Sequence, residues 1–394
     1  MNKPTLSKAF CIIFVFCAAT AIASPAQVLT TLHSFDGSDG SGPYAALVQA
    51  SNGNFYGTTE YGGYSGCNNG CGTVFQMTPG GTLTTLHSFN GADGAEPLAA
   101  PVQASDGNLY GTTFGGGQGC GANGCGTVFK ITPSGTLTTL YAFCSQPGCA
   151  DGTGPQAGLI QASDGNFYGT TSGGGANNYG TVFKITPSGA LTTLHSFGYA
   201  DGDSPLGALV QASDGNFYGT TELGGNSGCS FDRGCGTAFK MTPAGTLTTL
   251  YVFGPDDAFP FAGLVQASDG NFYGTTSYPG TAFKITPSGS VTTLAQLGPV
   301  TVAGLIQATD GNFYGTAMEG SDNFPGTVFK ITPGGTLTTL HNFEGSDGEY
   351  PEGGLVQATD GNFYGTTSQG GANGGGTVFR LTTLRACTVC PSLE

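Results

Sequence analysis

Three observations in the sequence predict an all-β fold, a seven-bladed β-propeller of four-stranded blades. A DGNFYG-type hairpin recurs seven times, at intervals of 41 to 58 residues. GTVF-type and LTTLHSF-type strands also recur seven times each. The LTTLHSF strand runs out of phase: the chain opens with a lone copy at residues 28–35 and closes on a unit that lacks one. Four-stranded units at this period are the signature of a propeller. Complementary ends predict that the N-terminal strand completes the last blade and locks the ring, which removes exposed edges. A β-solenoid would use shorter coils and would not need such ends.

Residues 1–23 stand apart from the repeats. Lys3 and Lys8 precede an apolar run, and Ala21-Ile22-Ala23 supplies an A-x-A cleavage site, so the segment reads as a secretory signal peptide. The run is too short for a membrane span. Phe16 precedes Cys17, where a lipidated cysteine would follow a small residue. The expected location is secreted or extracellular, with the periplasm as the alternative. The propeller is expected over residues 28–383, followed by a short tail at 384–394.

Each unit reads in order. A GLVQAS strand leads through Asp-Gly into NFYGTT. The Asp-Gly pair predicts a two-residue hairpin, because glycine accepts the positive φ such a turn needs. The hairpins start at Asn52, Asp106, Asp164, Asp214, Asp269, Asp310 and Asp360. A GTVFKIT strand follows, stopped by Pro-Ser-Gly, Pro-Gly-Gly or Pro-Ala-Gly, and then TLTTLHSF; proline fixes φ and cannot donate to a ladder. Val182, Phe183 and Ile185 place apolar groups on both faces of one strand, which suits sheets stacked face against face.

These tandem GLVQASDGNFYGTT and GTVFKITPSGTLTTLHSF units resemble the GloVer tandem-repeat proteins of bacteria, also called choice-of-anchor repeat proteins. The resemblance covers about residues 28–381. It implies an exported or surface location, and it carries no established activity and no catalytic residues. Members often end in a sorting tail with a hydrophobic segment. None follows Leu381, so the anchoring part of the resemblance stays open. Kelch and WD propellers fit less well, since the chain has no Trp.

Charge sorts the two faces of the expected ring. Lys3 and Lys8 lie in the leader, which leaves 8 of 10 basic residues against all 25 acids, a net charge of −17. Nucleic acid and anionic membrane are therefore not expected as partners. One face carries tight, uniform turns; the other collects every loop that varies in length. Six acids are the turn aspartates, expected to pair with Lys130, Lys184, Lys240, Lys284, Lys330 and Arg380. Eighteen acids fall in or beside the variable loops, with Arg233 as their one basic companion. Function concentrates on loops held by a rigid frame, so the variable face is the candidate site.

Within it, Asp-Gly-x-x-Pro recurs at Asp39, Asp93, Asp151, Asp201 and Asp347. These five aspartates are the candidate ligand-binding residues. One reading is a turn in which Asp caps its own backbone. Others are a ring of oxygen ligands for Ca²⁺ and electrostatic focusing of a cationic ligand. No copy has the acid spacing of an EF-hand or nonapeptide calcium repeat, and no other cofactor is expected. The linker at residues 298–303 lacks the motif, and the loop before it is cut to Ser277-Tyr278-Pro279.

Ten cysteines outside the leader form local pairs: Cys67 with Cys71, Cys120 with Cys125, Cys144 with Cys149, Cys229 with Cys235, and Cys387 with Cys390. In an exported chain such pairs predict disulfides that stiffen Gly-rich loops. Zinc is the rival, but a lone pair is half a site and no His lies in these loops. For Cys387 and Cys390 a tail disulfide and a redox C-x-x-C both stand. His33, His87, His195 and His341 occupy one fourth-strand position, filled by Tyr141 and Tyr251 elsewhere. A site that accepts either residue reads as packing or surface. No nucleophile elbow, paired-His motif or phosphate loop occurs, and no catalytic residue is assigned. The sequence points to a monomeric, non-enzymatic exported propeller that binds a protein or glycan through its acidic, disulfide-stiffened loops. The alternative is a polysaccharide hydrolase or lyase using carboxylates at the axial mouth.

Overall fold

The computed structural model describes residues 27–382 except 118–119, 121–123, 226–228, 230–232, 299–302 and 319–324. The expected signal peptide and most of the linker at 298–303 lie outside the described residues. So do Cys387 and Cys390, the fifth of the expected disulfide pairs.

Twenty-eight strands form seven antiparallel four-stranded sheets. Blade 3 is representative, with strands Ile160–Gln161, Phe167–Thr171, Thr181–Ile185 and Leu191–Ser196. Blade 7 takes its fourth strand from the other end of the chain: Val28–Ser34 pairs antiparallel with Thr377–Thr382, Val28 opposite Thr382 and Ser34 opposite Thr377. The ring closes as the phase of the repeats predicts.

The first strand is shorter than GLVQAS suggests, two residues in every blade. The residue just before this segment turns its carbonyl to the preceding blade. Thr112 Oγ1 donates to Ala157 O at 3.0 Å, and Thr366 Oγ1 donates to Ala45 O at 2.7 Å across the closure. The hairpin also differs from the two-residue expectation. Gly165 N donates to Ala162 O, and Ala162 N donates to Asn166 O. The connection is Ser163-Asp164-Gly165, and only Gly165 has positive φ, +80°. This is a three-residue loop in which glycine makes the bulge after an ordinary turn. Asp164 thereby keeps a right-handed backbone and frees its carboxylate for Asn166 N and Tyr168 Oη.

The core lies between blades. Tyr168, Val182 and Phe197 of blade 3 pack with Leu209, Phe217 and Phe239 of blade 4. Tyr168 stacks on Phe217 with ring centroids 4.2 Å apart, and Tyr364 meets Phe55 at 4.2 Å across the closure. A second circuit is polar: Gln103 accepts from Ser51 N at 2.8 Å, and the series returns to Gln49 accepting from Thr359 N at 2.9 Å. Gly189, in the turn before the fourth strand, has φ +93°, and a Cβ there would sit 2.7 Å from Leu140 O of the previous blade. Only glycine allows that approach.

Candidate functional site

The loop face is held by a repeated clasp. His33 Nε2 lies 2.7 Å from Asp39 Oδ2, His87 2.9 Å from Asp93, His195 2.9 Å from Asp201 and His341 2.7 Å from Asp347. Where tyrosine replaces histidine, Tyr141 Oη donates to Asp151 Oδ2 at 2.8 Å and Tyr251 Oη to Asp257 Oδ2 at 2.9 Å. A bulge in each fourth strand leaves the residue before the His or Tyr unpaired, as between Thr193 and His195. Such a bulge re-aims the side chain that follows.

The second carboxylate oxygen caps the loop. Asp39 Oδ1 accepts from Asp36 N, Asp93 Oδ1 from Asn90 N, Asp201 Oδ1 from Gly198 N, Asp347 Oδ1 from Glu344 N and Asp151 Oδ1 from Gln146 N. All five sequence-predicted aspartates thus have both oxygens engaged within their own loops. Burial pushes the Asp93 carboxyl up, but hydrogen bonds from His87 and Asn90 N more than offset it and leave it below its ordinary value. Asp257 is a sixth member that the motif, which lacks its Gly, did not reveal.

Four of the five expected cysteine pairs are bonded: Cys67–Cys71, Cys120–Cys125, Cys144–Cys149 and Cys229–Cys235. The remaining pair, Cys387 and Cys390, falls outside the described residues. On the opposite face, Lys130, Lys240 and Lys284 bond Asp106, Asp214 and Asp269 at 3.0, 2.9 and 3.0 Å. In blade 1 a neutral set replaces charge, with Asn52 Nδ2 and Gln76 Nε2 both donating to Tyr56 Oη.

The inner rim of the loop face carries a set of residues that motif reading passed over. The residue before the linker proline is left-handed even where it is not glycine: Glu96 (φ 55°), Ser204 (56°), Phe259 (62°) and Tyr350 (55°). Its carbonyl accepts from the residue that follows the second strand, as in Phe114 N to Glu96 O at 2.9 Å and Glu222 N to Ser204 O at 3.0 Å. Two positions per blade therefore share one frame and differ in side chain. A signal was present: after the near-constant FYGTT comes Glu60, Phe114, Ser172, Glu222, Ser277, Met318 or Ser368.

Acids converge in one sector of that rim. Burial, with a further push from the Glu60 charge, raises the Glu352 carboxyl to about 7, against a hydrogen bond from Ser368 Oγ at 2.9 Å. Burial and the Glu96 charge raise Glu60, opposed by hydrogen bonds from Tyr61 and Tyr44. Burial pushes the Tyr44 hydroxyl up to about 12, with Glu60 and Glu352 adding to it. Across the rim, burial raises Glu222 and Asp203, and Arg233 lowers both.

Two grooves lie beside Glu96. One, about 570 Å³, is lined by Cys67, Asn68, Cys71, Asn90, Glu96 and Gly124 among others. The next, about 330 Å³, is lined by Glu96, Phe114, Cys120, Cys125, Thr153 and Ser172 among others. Glu96 lines both. Among the described residues no three carboxylates lie within ligand distance of one another; the one group of metal-ligand side chains that close together is made of cysteines. No helix of the described residues is long and apolar enough to cross a membrane.

A sequence profile of the Gloeobacter/Verrucomicrobia repeat matches residues 18–160, 121–303 and 279–392. No curated protein matches the sequence. Among solved structures, the chain is similar to a streptogramin B lyase, with TM-score 0.65, 16% identity, and 91% of this chain and 99% of that one covered. It is also similar to a catalytically inactive virginiamycin B lyase from Staphylococcus aureus bound to quinupristin, with TM-score 0.64, 15% identity, and 91% and 100% covered. At these identities the likeness is one of fold.

Proposed function

This chain belongs to the Gloeobacter/Verrucomicrobia repeat family, and on that premise we propose that it is a non-enzymatic binding propeller that takes a neutral glycan in its loop-face grooves. The observation that carries this reading is the meeting of the two grooves at Glu96. Their walls offer what a sugar needs. Gly-rich backbone, Asn68, Asn90, Thr153 and Ser172 provide hydrogen-bond partners, and Phe114 provides an apolar ring. The negative charge of the face repels uronates and sulfated polymers. Disulfides on the groove walls reduce the ordering cost of binding and accord with an oxidising, extracytoplasmic location. On this reading Asp39, Asp93, Asp151, Asp201 and Asp347 brace the loops, and ligand contact falls to Glu96, Phe114 and the rim.

One observation favours a second reading. Glu352, held protonated up to about 7 beside Glu60, has the form of an acid next to a base. A polysaccharide hydrolase or lyase would use them as proton donor and acceptor at the axial mouth. The test is an array of neutral and anionic glycans probed with the full chain, followed by product analysis of every hit. Binding of neutral oligosaccharides without new products supports the first reading, and released products support the second. Binding confined to anionic glycans and without new products, or no binding, contradicts both.

A further inference from the structure

Among the four disulfides, two are neighbours. The loop between the second and third strands of blade 2 carries Cys120 and Cys125, and the connection from blade 2 to blade 3 carries Cys144 and Cys149. The Sγ atoms of all four lie within 4.8 Å of one another. We propose that these four cysteines form a zinc site in their reduced state, so that the loop face of blade 2 exists in a disulfide form and a metal form.

The spacing fits such a site. Each half is C-x4-C, with eighteen residues between the halves; structural zinc sites use pairs separated by two to four residues and about 15 to 20 residues between pairs. Zn–S bonds of about 2.3 Å place tetrahedral sulfurs about 3.8 Å apart, so the two pairs need to approach each other by about 1 Å at most, while the sulfurs within each pair separate once its S–S bond is cut. Each cysteine pair taken alone is half a site; the fold supplies the other half by bringing the two loops together. Cys125 is buried, at 2% exposure, and Cys120 is exposed, which gives the centre an anchored side and an entry side. The other described pairs, Cys67–Cys71 and Cys229–Cys235, have no such neighbour among the described residues.

The exchange balances. Two molecules of a dithiol reductant give four electrons and four protons to the two S–S bonds, and each closes to its own disulfide. The four thiols then release four protons as they bind one Zn²⁺. The consequence is mechanical. Each disulfide closes its own loop, whereas the metal would tie one loop to the other and fix the wall of the groove that Cys120 and Cys125 line.

The test reduces the full chain with a phosphine under nitrogen and titrates it with Co²⁺ as a spectroscopic stand-in for zinc. The expected result is one cobalt per chain, with thiolate charge-transfer absorption and the visible bands of a tetrahedral centre, both abolished by Zn²⁺. The signal should vanish in Cys125→Ser and in Cys149→Ser and persist in Cys67→Ser and Cys387→Ser. The absence of the bands in the unsubstituted chain overturns the proposal. So does their survival in both Cys125→Ser and Cys149→Ser, or their loss in Cys67→Ser. Near-UV circular dichroism reports whether the reduced chain stays folded, and a reduced chain that unfolds and takes up no metal contradicts the proposal as well.

Discussion

His33 Nε2 lies 2.7 Å from Asp39 Oδ2, and the other Asp39 oxygen accepts from Asp36 N at 3.1 Å. The fourth strand thus grips the loop that follows it, and the grip recurs with His or Tyr in six blade connections. Removing it should cost in proportion to burial. Asp151 is fully buried and accepts from Tyr141 Oη, Ser145 N, Ser145 Oγ and Gln146 N. Asp151→Ala leaves Ser145 N and Gln146 N without their acceptor and Tyr141 Oη with Ser145 Oγ alone, and should cost about 2–3 kcal/mol. Asp39→Ala, at a side chain 24% exposed, should cost about 1 kcal/mol. Urea unfolding of the two variants checks the order.

Acid should unfold the ring through its plain face. In Asp164 burial pushes the carboxyl up, but Asn166 and Tyr168 more than offset it and hold it below its ordinary value. Asp310 and Asp360 behave alike. A depressed carboxyl contributes stability that is present above the unfolded value of about 4 and is lost as pH falls through the folded one. Stability should therefore drop below about pH 4, and Asp164→Asn should flatten that limb in melts taken across acid pH.

Glu352 works in the opposite direction. Its carboxyl is raised to about 7, so between its unfolded value near 4.5 and about 7 the folded chain holds a proton that the unfolded chain has lost. Stability falls with rising pH across that window. Glu352→Gln should be more stable than the parent at pH 8, on the order of 2 kcal/mol, and equal to it below about pH 4.5. Paired denaturant titrations at the two pH values give the difference.

Closure of the ring rests on Val28–Ser34. Deleting residues 27–34 bares the outer edge of Thr377–Thr382. An unpaired edge invites pairing with another chain. The truncated chain should melt lower and associate with rising concentration, as read by calorimetry and light scattering.

Calcium should leave the melting temperature unchanged, because the oxygens of Asp39, Asp93, Asp151, Asp201 and Asp347 already accept hydrogen bonds within their loops. A rise in melting temperature on adding millimolar Ca²⁺ would revive the metal reading of the motif.

Much of the fold was legible because the units repeat. The orphan strand at residues 28–35 could only pair with the last unit, and it does. Interactions between repeats were harder to read. His195 and Asp201 were both visible as recurring residues, but their meeting depends on a bulge that no residue type announces. Cys120, Cys125, Cys144 and Cys149 were visible as two local pairs, and their convergence is a property of how two loops leave one blade. Glu60 follows the second strand of the first blade, Glu96 fills a variable position of the motif, and Glu352 lies near the other end of the chain. Only the closed ring brings Glu352 to Glu60. Faithful repetition marked the scaffold, and the site lies where single positions depart from it.

The central claim is that the loop-face grooves bind the ligand and the plain face does not. Calorimetric titration of one neutral glycan from the array against Glu96→Gln, Phe114→Ala and Asp164→Asn tests it most directly. The account predicts at least a tenfold loss of affinity in each of the first two and none in the third, with all three folded. Unchanged affinity in Glu96→Gln and Phe114→Ala, or a loss confined to Asp164→Asn, would contradict it.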